Sequence, residues 1–213
     1  MKNIILIGPP GAGKGTQARM LAKKIKLKSY STGDILREQI KLKTKVGKRV
    51  EKIIAGGDLV NDTLMNKIVF NALDKNGPDF ILDGYPRNIK QTRALVNFFT
   101  KNNWSANVFI IKLKDKSSIE RTSGRRICNC GRVYHVKYNP PKHPGICDDC
   151  SSTLKIRDDE KPEVVKERLE IYHKDTEPLI EYLKSQKKIK IKIHLIDGER
   201  SIKKIHQDIL SKL

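Results

Sequence analysis

The sequence predicts an α/β protein built on a parallel sheet flanked by helices. Three observations carry this. Short apolar runs ending in glycine or Asp-Gly recur along the chain, amphipathic segments separate them, and the first run opens into a glycine loop, "GPPGAGKGT" (8–16). Strands that alternate with helices are joined by the crossovers a parallel sheet requires.

Each element has its own signal. "NIILIG" (3–8) is a short apolar run suited to a buried parallel strand. From Lys14 onward, Ala18, Leu21, Ala22 and Ile25 recur at helical spacing. "STGDILREQI" starts a helix with a Ser or Thr cap and apolar Ile35, Leu36 and Ile40. "AGGDLV" is a turn, and "NDTLMNKIVFNALDK" a capped helix with Leu64, Ile68, Val69 and Leu73 on its apolar side. "DFILDGYPRN" is a second buried strand ending in Asp83-Gly84, "SANVFIIKL" a third, and "SSIERTSGRR" a helix. "IKIKIHLIDG" alternates, closes on Asp197-Gly198 and precedes a last amphipathic helix. Ligands of such sheets bind beyond the carboxyl ends of the strands, where Gly8, Asp83 and Gly198 fall.

The glycine loop nearly matches G-x-x-x-x-G-K followed by Ser or Thr. Gly8, Gly13 and Lys14 fit, but Gly15 takes the hydroxyl position and Thr16 comes one place late. Backbone N–H groups of such a loop converge on an anion, and the helix starting near Lys14 adds a positive dipole end. Lys14 supplies a point charge for terminal phosphates, and Thr16 can donate to a phosphate oxygen. A hydroxyl that would ligate Mg²⁺ is missing at position 15, so nucleotide and water would hold the metal, with a carboxylate behind the water. Asp83 is either that carboxylate or a turn residue before Gly84.

Lysine is the ordinary surface cation of this chain, and arginine the rarer choice. Arg37, Arg87, Arg121, Arg125, Arg157 and Arg168 stand near motif glycines, caps and strand ends. Arginine at such places suits planar, bidentate phosphate recognition. Singly, each reads as a surface ion pair; together they point to phosphoryl transfer between two phosphate-bearing molecules.

Residues 127–155 break the alternation. They hold all four cysteines, three prolines and a short β-like run, "RVYHVKY", and read as an inserted mini-domain. Cys128 and Cys130 form C-x-C, sixteen residues follow, and Cys147 and Cys150 form C-x-x-C. Two cysteine pairs flanking a short β segment are a structural zinc pattern, set against free thiols. On an extended strand Cys128 and Cys130 would project to one side, with Asn129 pointing away. His135 and His143 are spare ligands or packing residues.

The net charge is +20, from 44 Lys and Arg against 24 Asp and Glu. Nucleic acid, a membrane surface and small anions are the possible counterparts. The lysines are scattered, as on solvated helix faces and strand ends, and aromatics make up only 6%, too few to interleave with the charge as base-stacking platforms. No nucleic-acid or membrane partner is expected. The opening "MKNIILIGPP" is too short an apolar run for a signal sequence, so a cytoplasmic chain is expected.

"GPPGAGKGTQA", "STGDILR", "GDLVND", "LDGYPRN", "GRR", "GRVYHVKYNPPK", "RDDEKPEVVKERLEIYH" and "DG" follow one another in order. The chain thereby resembles the adenylate kinases of the long-lid, bacterial-type form, over nearly all its length. That family's phosphate loop also carries glycine after the lysine. The resemblance implies the reaction ATP + AMP ⇌ 2 ADP, Mg²⁺ with ATP, a structural Zn²⁺ in the lid, and a monomer. It implies a phosphate-loop core (1–30, 61–123 and 161–213), a helical AMP-binding domain (31–60) and a small β-rich lid (124–160). For AMP it implies Thr32, Arg37, Asp58, Leu59, Val60, Gly84, Tyr85, Pro86, Arg87 and Gln91. For ATP it implies Gly11, Ala12, Gly13, Lys14, Gly15, Thr16, Arg121, Arg125, Val133, Tyr134 and the backbone near Arg200. Arg157 and Arg168 would close over the phosphates, and Asp159 would help lock the lid. Two departures stand out: the lid begins with C-x-C rather than C-x-x-C, and its acidic pair is Asp159-Glu160 rather than two aspartates. A UMP/CMP kinase shares the loop and "DGYPR", and a basic zinc-ribbon nucleic-acid binder is the reading from another class.

Overall fold

The computed structural model describes residues 2–55, 60–157, 160–187 and 189–213. β1 (Ile4–Ile7) passes through the glycine loop into α1 (Lys14–Ile25). β2 (Lys28–Ser31) leads to α2 (Thr32–Lys41) and α3 (Lys45–Ala55), which pack on each other. α4 (Asp62–Asp74), β3 (Phe80–Asp83), α5 (Ile89–Lys101), β4 (Ala106–Lys112) and α6 (Asp115–Ser123) follow. β5 (Arg125–Ile127) and β6 (Val133–His135) form a separate antiparallel pair. α7 (Pro162–Ile171), a π-helical stretch (Tyr172–Thr176) and α8 (Glu177–Lys184) return to β7 (Ile191–Asp197) and α9 (Ile202–Leu210).

The main sheet has the order β2-β3-β1-β4-β7, and every pairing is parallel. All five carboxyl ends therefore share one edge. Successive side chains of a strand face opposite layers. Ile5, Ile7, Leu82, Val108 and Ile110 pack into the layer that includes Leu73, Leu95, Phe99 and Leu179. Ile4, Leu6, Ile81, Phe109 and Ile111 pack into the other, with Leu21, Ile205 and Ile209. Burial on both faces explains the unbroken apolar runs of β1 and β4.

The assigned strands and helices form where the sequence predicts them, except that Gly124 closes α6 after Ser123 and Arg125 and Arg126, expected at the end of that helix, open β5 instead. Ser31 caps α2 by accepting from Asp34 N–H, and Asn61 caps α4 by accepting from Leu64 N–H. β2 carries no apolar pattern ("KSYS"); it is an edge strand held by its ladder to β3, with Tyr30 packed edge-on against Phe80. α3, α5, α7 and α8 occupy segments without a sequence-based assignment. The turn expected at "AGGDLV" falls largely on 56–59, outside the described residues. Among the described residues no helix is long and apolar enough to cross a membrane.

The helices on either side of the β5/β6 insert are tied together by one histidine. His173 Nε2 lies 3.1 Å from Asp115 Oδ1 on α6, and its Nδ1 lies 3.0 Å from Glu177 Oε2 on α8. The hydrogen bond to Glu177, with that to Asp115, holds the His173 pKa above its ordinary value. A raised folded-state value means stability that is complete below the unfolded pKa and lost as pH rises through the folded one. The site is half exposed, so screening keeps the contribution below about 1 kcal/mol. Thermal unfolding from about pH 6 to about pH 8.5 tests this. The wild type should lose its advantage over His173→Gln as pH rises; a constant difference would contradict the assignment.

Candidate active site

The glycine loop sits at the carboxyl end of β1. Gly13 takes φ 85° as it enters α1, a left-handed conformation that favours glycine. Lys14 begins the helix and folds back over the loop: its Nζ donates to Gly8 O at 2.7 Å and to Pro9 O at 2.9 Å. Burial is the main cause that lowers the Lys14 pKa, to about 8; the Asp83 carboxylate opposes it, and the guanidinium groups of Arg87, Arg168 and Arg125 reinforce it. Asp83 ends β3, paired in register with Leu6 of β1. Burial raises its pKa, against the pull of Lys14 and Arg87.

The displaced hydroxyl of the loop has a geometric reason. A Cβ built on Gly15 would lie 3.2 Å from Asp83 Oδ2, tighter than ordinary contact. The space a Ser or Thr side chain would enter is bounded by a carboxylate from the neighbouring strand. An acidic oxygen thus lies beside the place where other phosphate loops carry a hydroxyl.

A second group of residues surrounds the turn after β3. Thr32 is buried and its hydroxyl donates to Gly84 O at 3.1 Å; Arg87 Nε donates to the same oxygen at 2.8 Å. Gln91 Oε1 accepts from Arg87 N–H at 2.8 Å, and its Nε2 donates to Asp62 Oδ1 at 2.8 Å. Among the described residues this leaves Gln91 one N–H and one lone pair for a ligand. Tyr85 is buried, its hydroxyl donating to Asn66 Oδ1 at 2.6 Å, and the Tyr85–Pro86 peptide is cis. Arg37 pairs with Asp34 at 2.5 Å, and Val60 is half-buried. Asp58 and Leu59 lie outside the described residues.

Three supports of this group escaped sequence reasoning. Asp62 accepts from both Gln91 and Asn88, Asn88 caps α5 by accepting from Gln91 N–H, and the Thr176 hydroxyl donates to Arg87 O at 2.7 Å. The Asn88 cap had a local signal, a polar residue just ahead of a helical pattern. Asp62 and Thr176 act across the fold and had none.

On the opposite side, the small sheet leans over the loop. Val133 of β6 lines a cavity with Thr16, Arg19, Met20, Gly131 and Arg132. Arg125 donates to Glu160 Oε1 at 2.8 Å, and Arg157 lies 3.7 Å from the same oxygen. Glu160 is buried, so one carboxylate holds two guanidinium groups. Asp159 lies outside the described residues. Arg121 donates to Gly198 O at 2.7 Å, and Arg200 is paired with Asp208. Tyr134 points inward, its hydroxyl 3.5 Å from Cys147 Sγ and accepting from Asp148 N–H at 2.7 Å. The six arginines thus divide. Arg87, Arg125 and Arg168 act on Lys14; Arg37 and Arg157 act on Asp34; Arg121 faces the turn after β7.

The four cysteine sulfurs lie within 4.8 Å of one another, with Cys128–Cys150 at 3.3 Å and Cys130–Cys147 at 3.6 Å. A tetrahedron with metal–sulfur bonds of about 2.3 Å has edges of about 3.8 Å, so the set fits one ion. The Tyr134 hydroxyl beside Cys147 is the main cause that lowers that thiol to about 6, while Cys128, among the same sulfurs, is raised to about 12. The extended strand expected at C-x-C is replaced by a turn: Gly131 N–H donates to Cys128 O at 2.9 Å, and Cys128 N–H to Arg132 O at 2.9 Å. The turn, rather than strand alternation, brings Cys130 round. His135 lies on β6 with Nδ1 accepting from Lys137 N–H, so it serves packing here.

A glycine loop at the end of β1, a buried lysine in the field of a strand-end carboxylate and arginines gathered from several elements define a phosphate-loop α/β protein that handles nucleotide phosphates. The family model for adenylate kinase matches residues 6–188. The adenylate kinase of Methanothrix thermoacetophila is 46% identical over 185 residues, covering 84% of this chain and 85% of the relative. That of Thermococcus kodakarensis is 42% identical over 97% of this chain and 92% of its own length, and that of Aster yellows witches'-broom phytoplasma 42% over 99% and 97%. The chain belongs to the adenylate kinase family and is a phosphotransferase of that class.

The lowered Lys14 pKa predicts a proton linkage. Above about pH 8 the free protein holds Lys14 neutral, and polyphosphate beside it favours the ammonium form. ATP binding near about pH 8.5 should therefore take up a proton, read by calorimetry in buffers of different ionisation enthalpy. Lys14→Met should abolish the uptake; equal uptake in both proteins would contradict it.

Proposed function

We propose that the chain transfers the γ-phosphoryl group of ATP to AMP, giving two ADP, in the space where Lys14 and Asp83 meet Arg87, Arg125 and Arg168. The carrying observation is that these charges, from β1–α1, β3, the insert and α7, act on one buried lysine. Residues 1–30, 61–123 and 161–213 would form the core, 31–60 the AMP-binding domain and 124–160 the lid. The glycine loop and Thr16 would cradle ATP, with Arg121, Val133 and the backbone near Arg200 bounding it. Thr32, Arg37, Gly84, Arg87 and Gln91 would hold AMP.

In the forward direction an AMP phosphate oxygen, aimed by Arg37 and Arg87, forms a bond to the γ-phosphorus as its bond to the β–γ bridging oxygen breaks. Lys14 and the loop N–H groups take up the charge left on the β-phosphate. Arg125, Arg157 and Arg168 offset the charge on the phosphoryl group in flight, so catalysis is positioning and electrostatics. Lid closure excludes water as an acceptor. Asp83, beside Gly15, would hold through water the Mg²⁺ that comes with ATP, and the ion would supply positive charge to offset that of the phosphates. A single zinc ion on Cys128, Cys130, Cys147 and Cys150 would be structural, since four thiolates leave no open position. A monomer in the cytoplasm fits this reading.

An acceptor panel tests the reaction. AMP should be the preferred acceptor by initial rate, and Lys14→Ala should remain folded with turnover down about a hundredfold or more. UMP or CMP matching AMP, or near-normal kinetics in the variant, would overturn the assignment.

The zinc reading has its own test. Among the described residues the insert's buried hydrophobic cluster is Cys128, Tyr134, Cys147 and Leu154, too small to fold without a staple. Elemental analysis should find one zinc per chain. Chelation should lower the melting temperature while ATP still binds. An active, metal-free protein with four freely titrating thiols would exclude the site.

A further inference from the structure

The N-terminus of α6 is capped from the far end of the chain. The first N–H groups of any helix lack intrahelical partners. Lys114, the residue before α6, makes no side-chain cap there. Glu199, 85 positions away in the turn between β7 and α9, makes it instead. Its Oε1 accepts from Lys114 N–H at 2.9 Å, and its Oε2 accepts from the Ser117 hydroxyl at 2.9 Å. A carboxylate at this end also complements the helix dipole. The backbone N–H of Lys114 is the main cause that holds the Glu199 pKa below its ordinary value.

The same turn is fastened at three further points. Gly198 N–H donates to Lys112 O at 2.8 Å, and a Cβ at Gly198 would lie 2.4 Å from that oxygen. Glu199 N–H donates to Asp197 Oδ1 at 3.0 Å. Arg121, one helical turn beyond Ser117 on α6, donates through Nη1 to Gly198 O at 2.7 Å and through Nη2 to Glu199 O at 3.4 Å. Arg121 therefore depends on a turn that Glu199 clips to Arg121's own helix.

We propose that Glu199 is a positioning residue for the ATP side of the site: it clips the β7–α9 turn to the start of α6 and so fixes Arg121 and the backbone of 198–200 as one unit. This rests on the reading that Arg121 and that backbone bound ATP. Glu199 itself touches no nucleotide in this scheme. Without the clip, the turn keeps its Lys112 anchor but loses its hold on α6, and the guanidinium loses its fixed plane. The AMP group around Gly84 and Arg87 shares none of these contacts, so the effect belongs to one substrate only.

Steady-state kinetics of the full chain with each nucleotide varied in turn tests this. Glu199→Ala should raise KM for ATP about fivefold, with KM for AMP and kcat within about twofold. Ser117→Ala, a milder change that removes one of the two bonds, should move KM for ATP the same way by less. Glu199→Gln, which keeps an acceptor for Lys114 N–H and can donate to Ser117, should recover most of the loss. Arg121→Ala is the control for the underlying reading and should raise KM for ATP at least as much. An effective Arg121→Ala beside Glu199 and Ser117 variants that leave KM for ATP unchanged, or that raise both KM values together, would overturn the positioning role alone. An Arg121→Ala that leaves KM for ATP unchanged would overturn the ATP-side reading, and the proposal with it.

Discussion

A buried charge governs this molecule: the Lys14 ammonium, folded back on Gly8 O and Pro9 O, lies in the field of the Asp83 carboxylate. Adjacent parallel strands bring the two together, since Leu6 of β1 pairs in register with Asp83 of β3. Neither charge is well solvated: burial drives the Lys14 pKa down and that of Asp83 up, and each opposes the other's shift. A lysine held below its unfolded value costs stability at neutral pH, and the cost fades as pH rises from about 8 toward 10.5. The sheet tolerates this because β1, β3 and β4 are buried on both faces by two apolar layers. Three arginines add positive charge to the same space. That excess of cations around one carboxylate is poised for polyphosphate, which would relieve the repulsion as it binds.

Gly15 belongs to the same constraint. The sequence motif reads as a loop lacking its metal hydroxyl, and the fold supplies the reason: the Asp83 carboxylate stands against that position. The β5/β6 insert is tied in a similar way. Arg125 and Arg157 share the buried Glu160, which orients both guanidinium groups. The turn after β7 is fixed to α6 in turn, so Arg121 and that turn are oriented by contacts made within the protein.

What could be read from the residues alone follows from the range of each interaction. β1, β3, β4 and β7 were legible because burial imposes an apolar run or an alternation on the strand itself. β2 was not, because an edge strand is held by its neighbour's ladder and needs no apolar residues. α5 did carry apolar Leu95, Val96 and Phe99 at helical spacing, and only the absence of an assignment there hid it. Lys14, Asp83 and the arginines were visible through motif glycines and strand ends. Their partners Asp62, Thr176 and Glu199 were not, since each acts across a long stretch of chain on a backbone group or an amide. At the cysteines, the donor set was legible but its geometry was not, because a turn hydrogen-bonded through Cys128 replaces the strand that C-x-C suggests.

Burial lowers the Lys14 pKa, and the Asp83 carboxylate opposes that shift, so removing its charge lowers the value further. Nuclear magnetic resonance of the Lys14 side chain, followed against pH in the wild type and in Asp83→Asn, measures this directly. The account predicts a midpoint near about 8 in the wild type and a lower one in Asp83→Asn. A midpoint near the ordinary 10.5 in the wild type, or one that does not move when Asp83 is neutralised, would contradict it.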